Sequence, residues 1–191
     1  MITLDDHRFV GHVGWRQDRQ TFDAVSAKYA ATDNLALFYS YLYKRNRIFA
    51  EAADLDSKDH ILHATYTSKI GKFVAYAYLL EVDNDTDNAL DTYGVSYDGK
   101  MKGDNVSWAY GGEFATQSSE AGAGETATDF DASYLNAYLA ATFSGITAKV
   151  DYEILGSDDG MYGFATPLAT LHKFNGWTDQ FLGTPAQGLK D

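Results

Sequence analysis

Polar and apolar residues alternate along most of this chain with the period of two that extended backbone imposes, because successive side chains of a strand point to opposite faces. About nine segments carry the pattern. Segment 8–16 (RFVGHVGWR) places Phe9, Val13 and Trp15 on one face, and 21–30 sets Val25, Ala27 and Tyr29 against Ser26 and Lys28. Segment 35–45 opposes Leu35, Leu37, Tyr39, Tyr41 and Tyr43 to Ala36, Phe38, Ser40, Leu42 and Lys44. Segments 60–69 and 72–82 follow, the second offering Val74, Tyr76, Tyr78, Leu80 and Val82 as its apolar face. After 92–101 come 106–117, with Trp108, Tyr110 and Phe114 opposite Ser107, Ala109, Gly111, Glu113 and Ala115, and 130–143, with Leu135, Ala137, Leu139, Ala141 and Phe143 opposite Tyr134, Asn136, Tyr138 and Thr142. The clearest alternation is 147–155, where Ala148, Val150, Tyr152 and Ile154 face away from Lys149, Asp151 and Glu153.

The connections are alternately short and long. Asp33-Asn34, Ile70-Gly71, 102–105 and the reversal at Gly145 are compact and built of turn-forming residues, whereas 46–59, 83–91 and 118–129 are long and polar. Only the link 17–20 is shorter than its place in the series requires. This is the rhythm of an up-and-down antiparallel sheet with tight turns on one rim and loops on the other. One face of the segments is almost wholly apolar and the other polar, charged or small, which predicts an all-β, antiparallel up-and-down transmembrane β-barrel. The chain reads as a single partial barrel domain over 1–191, with strands across roughly 8–155. Beyond 156 the alternation is lost, and 168–182 suits a short amphipathic helix or a folded loop.

Composition sharpens this picture. Among 191 residues Tyr (14) is abundant and Pro (2) scarce, so long pleated strands run uninterrupted. The absence of Cys excludes a disulfide framework, a thiolate metal site and a cysteine nucleophile. A formal net charge of −12 argues against nucleic acid or an anionic membrane surface as the main partner. No run of eighteen apolar residues is present, and the opening residues MITLDD are not a secretory signal, so the chain reads as a mature or truncated form. Mean hydropathy of −0.32 does not oppose a barrel, in which lumen and loop residues dilute the lipid face. Most acids fall in the long links, which would place negative charge outside the cell, where divalent cations bridge lipopolysaccharide.

Two stretches carry a family resemblance. Residues 8–23 (RFVGHVGWRQDRQTFD) and 167–182 (PLATLHKFNGWTDQFL) resemble segments of the alginate-export family of proteobacterial outer-membrane barrels, and the similarity extends over nearly the whole chain. The resemblance implies a monomeric pore of about eighteen strands with a charged, arginine-rich lumen for anionic polysaccharide. Nine strands would be half of such a barrel, and Asp191 is not the aromatic residue that ends the last strand of bacterial barrels. The expectation is therefore a fragment of an outer-membrane porin-like channel, monomeric when full length, passing small or anionic solutes. Its other partners would be outer-membrane lipid and lipopolysaccharide.

Candidate pore-lining residues are Arg8, Arg16, Lys28, Lys44 and Lys149, with Glu81, Asp98, Glu113, Asp151 and Glu153 on the same inferred face. Inward cations in a narrow wet channel attract anions; the alternative is that they only solvate the inner wall and pair with acids. Trp15, Tyr39, Tyr43, Tyr76, Tyr78, Trp108 and Tyr110 read as lipid-facing belts, against the core of a soluble carbohydrate-binding sandwich or a sugar-stacking platform. A complete small barrel that anchors without conducting is a further alternative. The run 83–88 (DNDTDN) spaces oxygens as calcium loops do but lacks the glycine and glutamate such loops need, and reads as solvated surface. His60 and His63 would fall on opposite faces of a strand, which disfavours zinc. Motifs of hydrolases, zinc proteases and phosphate-binding loops are absent. Pairing of Glu81, Glu113 and Glu153 for glycoside hydrolysis is outweighed by a lumen-wall role, and the run 122–125 (GAGE) is loop composition. No enzymatic activity, cofactor or metal is expected.

Overall fold

The computed structural model describes residues 1–86, 88–121, 128–174, 176, 178 and 182–190. Eight long strands follow one another in order: β1 Thr21–Ala30, β2 Leu35–Asn46, β3 Leu55–Ser68, β4 Gly71–Leu80, β5 Ala89–Lys102, β6 Ser107–Ala121, β7 Thr128–Phe143 and β8 Ile146–Leu155. Each pairs antiparallel with the next. Two-residue strands β9 (Ser157–Asp158) and β10 (Tyr162–Gly163) pair with each other, and β11 (Leu189–Lys190) adds a ninth strand beside β8. The architecture is one large up-and-down sheet with open edges, since β1 pairs only with β2 and the far edge ends at β11. It is not closed into a barrel.

The alternating connections are present in three dimensions. Links 31–34, 69–70, 103–106 and 144–145 lie on one rim, and 47–54 and the described residues of 81–88 on the other, where β6 also ends and β7 begins. In the link from β7 to β8, Ser144 (φ 48) and Gly145 (φ 81) are both left-handed, the pair of conformations that a two-residue hairpin compatible with strand twist demands. The strands are longer than the alternation predicted. Asp56 and Asp59, expected in a loop, lie on β3, and β6 and β7 both extend into the expected link 118–129.

The expected number of about nine strands holds, but segment 8–16 is not one of them, and β11 makes the ninth. Segment 8–16 is instead part of an irregular N-terminal strap that lies against one face of the sheet, burying Arg8, Val10 and Val13. The Gly11 N–H bonds the Leu168 carbonyl instead of a neighbouring strand, and Gly11 sits so close to Thr170 and His7 that a Cβ would collide with them. A second irregular segment, 164–174, lies beside the strap and contains a 3-10 turn at Leu171–Lys173, where a short helix or folded loop was expected. Residues 175, 177 and 179–181 of that expectation lie outside the described residues.

These two segments cover the inner face of the sheet. The core lies between them and the strands: Val10, Phe164 and Leu168 meet Leu42, Ile61, Val74, Tyr76, Tyr78, Leu80, Ala115, Tyr134 and Leu155. Phe9 joins opposite parts of the sheet, with ring centroids 5.3 Å from Tyr76 on β4 and 5.2 Å from Tyr134 on β7. Three strand spacings would separate β4 from β7 by about 14 Å in a flat sheet, so contact through one ring marks a curled sheet with a trough inside.

The core overturns one face assignment. Val74, Tyr76, Tyr78 and Leu80 point inward and are buried, while Phe73, Ala75, Ala77 and Leu79 point outward. Both faces of β4 are apolar, so alternation alone chose the bulkier set. The inner face is apolar at this point because it is covered by protein rather than water.

Candidate functional site

Registers sort the residues of every strand onto one of two faces. Outward stand Val25, Ala27 and Tyr29; Leu37, Tyr39 and Tyr41; Leu62, Ala64 and Tyr66; Phe73, Ala75 and Ala77; Tyr93, Val95 and Tyr97; Trp108, Tyr110 and Phe114; Leu135, Ala137 and Leu139; Val150 and Tyr152. Many are strongly exposed, including Val150 (74%), Val25 (69%), Val95 (56%) and Leu139 (51%). Tyr66, Phe73, Tyr97, Tyr110 and Trp108 gather toward the short-turn rim, and Tyr39, Tyr41, Tyr43 and Tyr93 toward the other. Tyr39, Tyr43, Trp108 and Tyr110 stand on the outward face, where the belt reading expects them. That reading fails for Tyr76 and Tyr78, and for Trp15, which stacks on His172 within the strap and its neighbour (centroids 4.0 Å apart).

Inward, the sheet and the strap enclose a cavity of about 790 Å³ bordered by Asp5, Asp6, Lys72, Asp98, Glu113, Lys149, Asp151, Glu153 and Lys173, with Tyr134, Asn136 and Tyr138. Hydrogen bonds from the adjacent strand or the next but one hold four of the acids. Tyr76 donates to Glu113 (2.7 Å), Tyr138 to Asp98 (2.8 Å), Tyr134 to Glu153 (2.7 Å) and Asn136 to Asp151 (2.6 Å). Lys149 pairs with Asp151. Lys72 lies 3.6 Å from Asp98 and 3.0 Å from Asp5. Gly94 lies under the Tyr76 ring, so close that a Cβ there would overlap it.

The predicted pore-lining residues divide accordingly. Asp98, Glu113, Lys149, Asp151 and Glu153 come together around the cavity. Lys28 is on the inner face of β1 with its ammonium 5.7 Å from the Phe38 ring centroid, and Lys44, beside a bulge in β2, lies 3.5 Å from Asp54. Arg8 and Arg16 belong to the strap rather than to a strand, and Arg16 stacks over Trp15 at 4.3 Å. Glu81 is one residue past β4, at the rim beside Lys58 (3.4 Å), away from the cavity. Asp5, Asp6, Lys72 and Lys173 were not foreseen. For Lys72 the correct face of β4 would have sufficed.

The two stretches singled out by the sequence meet. Gly11 N–H donates to the Leu168 carbonyl (2.8 Å), Val13 N–H to Thr170 Oγ1 (3.2 Å), and the buried Gln20 amide to the carbonyls of Gly11 (3.0 Å) and Leu168 (2.8 Å). Gln117 on β6 fastens the second segment, donating to Thr92 and the Ala165 carbonyl and accepting from Tyr162 and the Ala165 N–H. Arg8, 1% exposed, forms a two-pronged pair with Glu153 (2.7 and 2.8 Å). Asp5 accepts from His63 (2.7 Å) and Lys72 (3.0 Å). Burial pushes the Asp5 carboxyl upward, but these two partners outweigh it and hold Asp5 below its ordinary range. His7 is lowered by burial and by nearby Lys173 and His12.

His60 and His63 do fall on opposite faces, His60 bonding Tyr39 outside and His63 bonding Asp5 inside. Among the described residues no cluster of three or more His, Asp or Glu could hold a metal ion. In the run 83–88, expected as solvated surface, Asn88 turns inward to cap Val82 (2.9 and 3.0 Å), and Asp87 lies outside the described residues. So do 122–125.

The fold and site define a class: an open, curled antiparallel sheet, apolar and aromatic outside, charged and partly filled inside. Searches against family models, curated proteins and solved structures find no match to the chain.

Proposed function

We propose that this sheet is part of the wall of a porin-like channel in the outer membrane of a Gram-negative bacterium. It passes small or anionic solutes by passive diffusion along the polar inner face, without catalysis. The observation that carries this reading is the outer face, a continuous apolar and aromatic surface of the kind that water-soluble monomers do not present over so large an area. Along β2 the outward residues run from Leu35 to Tyr43, eight steps of about 3.4 Å, or roughly 27 Å before tilt. That suits an apolar band of about 25 Å flanked by aromatic residues. The short-turn and long-loop rims agree with it.

Open edges favour a part of a larger wall over a complete small barrel, because unpaired strand edges are not viable in lipid. In this reading the chain supplies about nine of roughly eighteen strands of a monomeric barrel related to the alginate exporters, with lipid and lipopolysaccharide outside. Lys72, Lys149 and Lys173 supply positive charge along the path, and the acids beside them favour a general passage over one dedicated to anionic polysaccharide. A facing second sheet, which a carbohydrate-binding sandwich needs, is represented among the described residues only by the two-residue ladder β9–β10.

The test is reconstitution. The protein should require detergent to stay monodisperse and should produce discrete conductance steps in planar bilayers. A monodisperse, detergent-free protein that leaves bilayers silent would overturn the reading.

A further inference from the structure

The strap, residues 1–20, is held in place in a distinctive manner. Its backbone is strained: Asp5 (φ 46), His7 (φ 77) and Val13 (φ 49) are all left-handed without being glycine, and for a β-branched valine that conformation is a genuine outlier. Such geometry persists only where surrounding contacts over-determine it, and it concentrates in elements that switch. Among the described residues the strap forms no ladder with the sheet. Side chains anchor it instead, on opposite walls of the trough: Asp5 to His63 on β3 and Lys72 on β4, Arg8 to Glu153 on β8. Lys173 adds a bond from the second segment to the Asp6 carbonyl (2.6 Å). Phe9 and Val10 fill the space between the anchors, against Tyr76, Tyr134 and Phe164.

We propose that residues 1–20 are a displaceable plug, clamped across the trough by Asp5 and Arg8, whose release widens the passage while leaving the sheet intact. The proposal rests on the trough being the channel interior. The two clamps differ in accessibility. Asp5 and Lys72 are about one third exposed, so salt and charged solutes reach that clamp, whereas the Arg8–Glu153 pair is nearly dry. Release therefore begins at the Asp5 end, and the strain in the strap works with it. The apolar contacts of Phe9 and Val10 oppose it and set the closed state as the resting one.

The experiment is limited trypsin digestion of the whole protein in detergent micelles, following by mass spectrometry the cleavage after Arg8, which is 1% exposed in the clamped strap, and the integrity of β1 to β8 by circular dichroism. Wild-type protein should be cut slowly at low salt and several-fold faster at high salt. Asp5→Asn, at a partly exposed site that does not endanger folding, should raise the low-salt rate about tenfold and abolish most of the salt effect. Glu153→Gln should raise it further, with the strand signal unchanged. Unaltered cleavage in both variants, or cleavage that appears only as the strand signal is lost, would show the strap to be an inseparable part of the core. The digestion does not depend on conduction, so a silent bilayer would remove the channel reading and leave the two-state strap to be judged by its own result.

Discussion

Leu139→Lys separates a lipid-facing wall from a water-facing one. Leu139 stands midway along the outward run of β7, from Leu135 to Phe143, and pairs with Tyr110 on β6 and Val150 on β8. It is already 51% exposed, so in water a lysine there would change stability by no more than about 0.5 kcal/mol. Against hydrocarbon the same ammonium costs about 2–4 kcal/mol at mid-bilayer depth, a change of roughly 30- to 1,000-fold in the folding equilibrium. Ala109→Lys is the depth-matched control, because Ala109 faces inward on the neighbouring strand, where the new side chain can reach the wet trough. The assay is reversible urea unfolding of each variant in lipid vesicles, read by tryptophan fluorescence and by mobility before and after boiling. The expected order places Leu139→Lys well below wild type and Ala109→Lys close to it. Equal midpoints for the two variants, or a Leu139→Lys midpoint indistinguishable from wild type, would refute the division of faces and the membrane reading built on it.

Leu80→Lys should destabilise by about 3 kcal/mol or more in vesicles and in micelles alike, because Leu80 is 6% exposed on the covered inner side and an unpaired ammonium there has no partner; unfolding midpoints in the two media check this. Asp59→Asn should cost about 3–5 kcal/mol by leaving the buried Arg45 guanidinium without its two-pronged partner (2.7 and 2.6 Å), whereas replacing both residues with apolar ones should recover much of the loss. Gly94→Val should cost about 1–3 kcal/mol by forcing the Tyr76 ring off its seat, with loss of near-ultraviolet dichroism from the inner tyrosines. The pH dependence follows from Asp5: its folded pKa lies below the ordinary value, so the stabilisation it confers is present above that ordinary value and is lost as pH falls through the folded one. An acid titration of strap release, read by hydrogen exchange of the strap amides, should therefore show an upturn in that low-pH range that Asp5→Asn lacks.

Most of the sheet was legible because alternation is a direct imprint of the pleat. On β8, where Lys149, Asp151 and Glu153 oppose Ala148, Val150 and Tyr152, face and register follow from sequence alone. On β4 they do not, since Val74 and Ala75 are both apolar and only the strap lying over Val74, Tyr76 and Tyr78 decides which side is inside. The strap was misread for a related reason: RFVGHVGWR has the composition of a strand, and what prevents one is the tertiary pairing of Gly11, Val13 and Gln20 with Leu168 and Thr170, more than a hundred residues away. Bulges at Asp23/Ala24 and Leu42/Lys44 shift the period locally and bring Arg45 inward to Asp59, which strict alternation cannot anticipate. Lys72 and Asp5 escaped notice because one depended on the ambiguous strand and the other on the strap.

The open edges make a final demand on the reading. An edge strand leaves every second N–H and carbonyl without a ladder partner, and in hydrocarbon each such group costs several kcal/mol. β1 presents that edge over Thr21–Ala30, and β8 over most of its length, since β11 covers only Leu155 and Ile154. The outward faces of both edges are nevertheless apolar, with Val25, Ala27 and Tyr29 on one and Ala148, Val150 and Tyr152 on the other, while Lys28 on β1 and Lys149, Asp151 and Glu153 on β8 lie on the inner face. β1 and β8 run in opposite directions, and antiparallel strands added at either side would continue the up-and-down order and the inside-outside division together. Hydrogen exchange in lipid reads this directly. If further strands complete the wall, the amides of β1 should be protected to the level of the central strands β4 to β6; if the sheet stands alone, half of them should exchange orders of magnitude faster, and a bilayer-spanning wall made of these strands alone would be excluded.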